Sequence, residues 1–206
     1  MVIVADIVTE IVGMLPDLFK GVVALFIVVD PFGNVPIFVS LTEKMDREAR
    51  KKAFHTATLV GLVLLLFFAI AGREILNLFG ITIYSFMIAG GTLLFIIAIR
   101  LLIAGGWQET VASPESIGAV PIAVPLLVGP GAITTTILTL QTSGIIVTLV
   151  AVIVNFGLVW GVLHFIDPIY RFLGKTGSVV IARIMAMFIA AIAVGYILEG
   201  LRYYFI

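Results

Sequence analysis

Two short polar stretches interrupt apolar runs. The first is Asp30-Pro31-Phe32-Gly33-Asn34-Val35-Pro36, inside a run from Leu18 to Thr42. The second is Val128-Gly129-Pro130-Gly131-Ala132, followed by Thr134, Thr135 and Thr136. Pro31 and Pro36 lack an N–H and disrupt a helical ladder, and Gly33 admits left-handed or close-packed backbone. Asn34 suits the N-cap of a helix restarting at Val35, with Pro36 in its first turn. Each stretch therefore reads as unwound backbone between two half-helices. Half-helix N-termini, at Asn34–Pro36 and Gly131–Ile133, offer N–H groups and positive dipole ends to an anion. Half-helix C-termini, around Val29 and Val128, offer carbonyls to a cation. Asp30 adds a full negative charge. The three threonines add hydroxyls, which serve a ligand where they face inward and otherwise bond back to their own helix. Asp30, Gly129 and Gly131 also have purely structural readings, as a cap and as packing glycines.

The elements that position these groups are membrane spans. The 206 residues are 62% hydrophobic and 12% charged, against about 25% charged in a soluble domain. A soluble core of this size could not hide so much apolar surface. There are no cysteines and two histidines, which leaves no thiolate chemistry and argues against a zinc site. Net charge is zero with no basic tract, so nucleic acid is not indicated. No cofactor or metal is implied, and no acidic, histidine or cysteine cluster suggests an enzyme.

Six apolar runs, each near the ~20 residues that cross a bilayer, follow one another. They lie at about 18–42, 53–71, 80–102, 117–141, 145–166 and 179–204, with polar loops at 43–52, 105–116 and 169–178. Residues 1–17 read as a short N-terminal extension. A shift of about 99 residues places Pro31 on Pro130 and Ser40-Leu41 on Thr139-Leu140. The fold expected is an all-α membrane protein of six transmembrane helices in a 3+3 inverted-topology repeat, residues 18–104 and 117–206, with helices 1 and 4 broken at the midplane. Paired interruptions in inverted halves point to a transporter binding site, and irregular backbone at that depth requires burial or a wet cavity. The odd-numbered loops and their flanks carry nine of the Lys and Arg residues, and the other side carries Lys20, Arg73 and Arg202. The positive-inside bias then puts both termini outside, and favours this crossing over a rival in which the first and fourth runs are re-entrant hairpins, where the asymmetry is weaker. Gly157-x-x-x-Gly161 and Ala89-Gly90-Gly91 read as close helix packing, Asn155 as an interhelical hydrogen bond, and His164 with Asp167 as a bonded interface pair.

Asp-Pro-Phe-Gly-Asn-x-Pro-x-Phe at Asp30–Phe38 and Pro-x-x-x-Gly-Pro-Gly-Ala at Pro125–Ala132 resemble the MarC family of inner-membrane proteins. The basic loop and the six-span layout match as well. The resemblance implies a transporter of small neutral amino acids, glycine and alanine, as in the SnatA-like members, placed in the cytoplasmic membrane. A zwitterion needs an anion site and a cation site a few ångströms apart. The residues assigned to it are Asp30, Pro31, Gly33, Asn34, Pro36, Gly129, Pro130, Gly131, Thr134 and Thr135. The partners expected are the amino acid, a coupling H⁺ or Na⁺, and the lipid bilayer; homo-oligomerisation stays open. Burial and helix dipoles act on the Asp30 proton in opposite senses, so both coupling ions stay open too. The alternatives are export of other small metabolites or drugs, and a membrane assembly subunit that transports nothing.

Overall fold

The computed structural model describes residues 2–104 and 118–205, with the side chains of residues 2–11 and of a few further positions left aside. The 105–116 connection falls outside the described residues. Every regular element among them is helical, and there is no strand. The order is α1 (Val2–Val29), α2 (Val35–Leu41), α3 (Arg47–Leu78), α4 (Ile83–Ala104), a π-helical segment (Gly118–Leu127), α5 (Pro130–His164) and α6 (Ile166–Phe205). Among the described residues, five helical stretches are long and apolar enough to cross a membrane: Val12–Val29, Arg47–Leu78, Ile83–Ile103, Gly131–His164 and Val179–Phe205. Their outer faces carry large apolar side chains such as Phe19, Val63, Phe67, Ile70 and Ile153. Such faces suit lipid rather than water.

The stretches differ in detail from the six runs read in the sequence. The run at 117–141 is divided between the π-helical segment and the start of α5. Pro121 and Pro125 have no N–H for an α-helical ladder, and the segment winds wider, as in the 2.8 Å bond from the Val128 N–H to the Ala123 carbonyl. At 35 residues α5 would be about 50 Å long if straight, well beyond the ~30 Å hydrocarbon core. Gly144, at φ 81° and ψ 174°, divides it into two helical stretches. The polar stretch 169–178, expected as a loop, is helical apart from Gly174 at φ 62°. Both glycines hold positive φ, which L side chains adopt only with strain.

Packing joins α1 to α5, α3 to α5 and to the π-helical segment, and α4 to α6. The main core gathers Leu25, Val29, Val35, Phe38, Leu127, Val128, Ala132 and Phe156. A second cluster at the α4–α6 contact holds Leu94, Ala98, Ala186, Ile189 and Ala193. Small residues set these distances. A Cβ on Gly91 would stand 2.7 Å from the Ala193 carbonyl, and one on Gly61 would stand 2.6 Å from the Phe156 ring. A Cβ added at Gly157 or Gly161, both expected to pack, would meet no atom of another element within 4 Å. The ends of the bundle are tied separately. Arg50 Nη1 bonds Asp167 Oδ1 at 2.8 Å, where a pair between Asp167 and His164 was expected. His164 instead stacks on Trp160. At the other end the Tyr204 hydroxyl meets Thr82 and Ser85, and Tyr203 stacks on Tyr84.

Candidate functional site

The helix α1 stops at Val29 because Asp30 turns into the left-handed region, at φ 43°. Asp and Asn tolerate this conformation better than most side chains. Asp30 is 5% exposed, and its Oδ1 accepts the Gly33 N–H at 3.0 Å. The backbone then folds on itself. The Asn34 N–H donates to the Asp30 carbonyl at 3.2 Å and the Val35 N–H to the Phe32 carbonyl at 3.2 Å. A Cβ on Gly33 would run into the Asp30 carboxylate, so a larger residue there would displace that side chain from its bond. Pro31 is buried in the same turn.

Asn34 works differently from the N-cap reading. It stands before α2, but its side chain caps nothing in α2. It reaches backward, and Nδ2 donates to the Asp30 carbonyl at 3.0 Å and the Val29 carbonyl at 3.3 Å. The C-terminus of α1 leaves carbonyls without helical partners, and in a buried turn those acceptors need donors. With Gly33, Asn34 and Val35 N–H groups bonded within the turn, and none on Pro36, little of this helix start is open to an anion.

The second interruption is more open. Gly129 is extended, at φ −88° and ψ 177°, with Pro130 the first residue of α5. The Ile133 N–H reaches back to the Gly129 carbonyl at 3.2 Å. Gly131 and Ala132 lie ahead of that first bond, where helical N–H groups have no acceptor within their own helix. A Cβ on Gly131 would meet Leu94 at 2.5 Å and Val28 at 3.1 Å. The end of α1 and the start of α5 are therefore in contact, which draws the two interruptions together.

The threonines divide by what they face. Thr134 packs against Gly90 of α4. Thr136 Oγ1 bonds back to the Ala132 carbonyl at 2.8 Å, and Thr139 Oγ1 to the Thr135 carbonyl at 2.8 Å. Thr135 is fully buried and its Oγ1 has no hydrogen-bond partner. The Tyr196 side chain of α6 lies alongside it without closing a short bond. Tyr196 also lines a cleft of about 250 Å³ with Asp17, Lys20, Ala24, Met87 and Thr139. Drug-sized sites run to ~300–1,000 Å³, so the cleft suits a small guest. The α1 lining residue nearest Asp30 in sequence, Ala24, precedes it by six positions, about 9 Å along a helix.

Of the residues singled out in the sequence, Asp30, Gly131 and Thr135 lie at or beside the two interruptions. Residue types and spacing did not single out Tyr196, Met87 or the Asp17–Lys20 pair, which line the cleft with the pair's charges 3.2 Å apart. A tyrosine inside an apolar span is a usable signal, since its hydroxyl wants a polar partner. Asn155 bridges helices as expected, donating to the Val22 carbonyl at 3.4 Å, with its Oδ1 unpartnered.

Residues 15–205 match the family described as MarC family integral membrane protein. The chain is 38% identical over 203 residues to a UPF0056 membrane protein of Archaeoglobus fulgidus, covering 93% of this chain and 95% of that one. It is 36% identical over 200 residues to the UPF0056 membrane protein YhcE of Escherichia coli, covering 91% and 93%. A UPF0056 membrane protein of Methanocaldococcus jannaschii is 41% identical over 194 residues, covering 88% and 85%. No solved structure matches the chain.

Proposed function

The chain belongs to the MarC family of integral membrane proteins, and on that premise we propose that it is a secondary transporter of small neutral amino acids, not an enzyme. The reading has glycine and alanine moved across the cytoplasmic membrane by alternating access, driven by H⁺ or Na⁺. The observation that carries it is the meeting of two interrupted helices beside a buried carboxylate. In this reading the substrate carboxylate docks at the Gly131–Ala132 N–H groups, at the positive end of α5. The ammonium is drawn toward Asp30 and the carbonyls that end α1. The Thr135 hydroxyl supplies one neutral hydrogen bond. Leu94 and Val28 crowd Gly131, which argues against a substrate with a large side chain.

The reading keeps the inverted repeat, in which α1, α3 and α4 correspond to the 118–143 region, the 145–164 stretch and α6. Contacts of α1 and α3 with α5, of α3 with the π-helical segment and of α4 with α6 bring the two halves together. Asp30 does not line the cleft, and in this reading it is reached from that end by movement of one half against the other.

The test is counterflow. Proteoliposomes preloaded with unlabelled glycine should take up labelled glycine transiently above equilibrium, saturably, with alanine competing and leucine failing to compete. Linear, non-saturating entry would point to a channel. No uptake of any small amino acid under either gradient would remove the proposal.

A further inference from the structure

The end of the bundle tied by Arg50 and Asp167 carries a second feature that the transport reading does not use. A cavity of about 570 Å³ opens there between the start of α3 and the junction of α5 and α6. Arg47, Arg50, Lys51 and Arg171 line it, and Asp167 is the acid among its lining residues. Glu48 stands 3.7 Å from Lys51 and offsets that charge in part. Asp46 faces its own helix, accepting the Ala49 N–H at 2.8 Å. The balance of the cavity is therefore cationic. Arg50 is the least exposed of these cations and sits over the Phe54 ring at 5.5 Å. Its Nη1 is bonded to Asp167, while Nε and Nη2 are buried with no acceptor. A guanidinium presents N–H groups in a fork that fits phosphate oxygens.

A second, apolar groove of about 510 Å³ adjoins the first and shares Pro168 with it. Phe32, Phe165, Ile169, Phe172, Leu173 and Ile181 line it. Phe172 is 90% exposed, on a face that is helical where the sequence looked like a loop. A cationic cup beside an apolar trough has the shape of one molecule's two ends. We propose that the pair of cavities binds an anionic phospholipid, with its phosphodiester headgroup in the Arg47–Arg50–Arg171 cup and an acyl chain along Phe165, Phe172 and Ile181. Charge complementarity selects an anionic headgroup over a zwitterionic one, and continuity with the groove selects a lipid over a free phosphate. Basic pockets between membrane helices are a recognised setting for such headgroups. The site stands whether or not the chain transports amino acids.

The experiment is thermal unfolding of the full chain in detergent micelles titrated with phosphatidylglycerol, with phosphatidylcholine of the same acyl chains, and with inorganic phosphate. The expected result is saturable stabilisation by phosphatidylglycerol, half-maximal at a concentration at least about fivefold lower than for phosphatidylcholine. Arg47 and Arg171 are exposed and in no ion pair among the described residues, so Arg47→Gln/Arg171→Gln should fold and lose that preference. Arg73→Gln/Arg202→Gln, at the other end, should keep it. Equal stabilisation by both lipids would overturn the proposal. So would a preference that survives in the Arg47/Arg171 variant, or one lost equally in the Arg73/Arg202 variant. Inorganic phosphate that reproduces the full effect at matched concentration would assign the cup to a free anion and overturn the lipid site.

Discussion

Asp30 combines left-handed backbone, burial and a bond to the Gly33 N–H, so charge and cap can be separated by substitution. Asparagine tolerates the same backbone and can keep its oxygen on Gly33, so Asp30→Asn should leave the melting temperature within a few degrees of the parent. Asp30→Ala loses the cap as well and should cost about 1–2 kcal/mol, as cap removals do. Thr135→Val gives a sharper contrast. Removing a buried, unpartnered hydroxyl is neutral or stabilising for folding, whereas loss of a substrate bond should raise the KM for glycine about tenfold, at ~1.4 kcal/mol per decade. A KM unchanged alongside higher stability would return Thr135 to a packing role. Gly131→Ala should destabilise by about 1–3 kcal/mol through overpacking against Leu94 and Val28, measured by thermal unfolding, with Gly157→Ala as the control in open space. These residues were legible in the sequence because a carboxylate, glycines and prolines stand out in apolar runs. Tyr196 and the Asp17–Lys20 pair were not, because their partners come from other helices. Asn34 was legible as a cap but not in its direction, since both a following helix and preceding carbonyls compete for its side chain.

The helices hold the two interruptions by packing, and their own breaks fall where hydropathy is uninformative. Gly144 and Gly174 are the clearest cases, since an apolar or polar tally reads the same for any backbone conformation. Gly144 has positive φ, and a Cβ added there would meet no atom within 4 Å, so Gly144→Ala should cost about 1–2 kcal/mol from backbone strain alone. Chemical or thermal unfolding in micelles measures it, and an unchanged midpoint would contradict a positive φ at Gly144. The residues 169–178 misled for a related reason. Arg171 is exposed while Leu173 is partly covered, an amphipathic stretch whose polar content resembles a loop. The wide winding of Gly118–Leu127 had no sequence signal beyond Pro121 and Pro125, which announce that an α-helix is interrupted and not what replaces it.

At the scale of the molecule, composition and run length made an all-helical membrane protein legible, and the charge asymmetry adds an orientation. Single cysteines at Lys51 and Gly144 test it: Gly144→Cys should label from outside intact cells and Lys51→Cys should not, with both termini outside. The reverse pattern would invert the bundle and exchange the sides that the Tyr196 cleft and the cationic cavity face. What the sequence leaves open is coupling, because the proton on Asp30 is set by burial and by helix ends that only folding brings together. The most direct measurement is accumulation of labelled glycine in proteoliposomes under imposed H⁺ or Na⁺ gradients, with parent and Asp30→Asn side by side. The account predicts saturable, gradient-driven accumulation by the parent and none by Asp30→Asn. Full accumulation by Asp30→Asn would contradict it and leave the buried carboxylate as a structural cap.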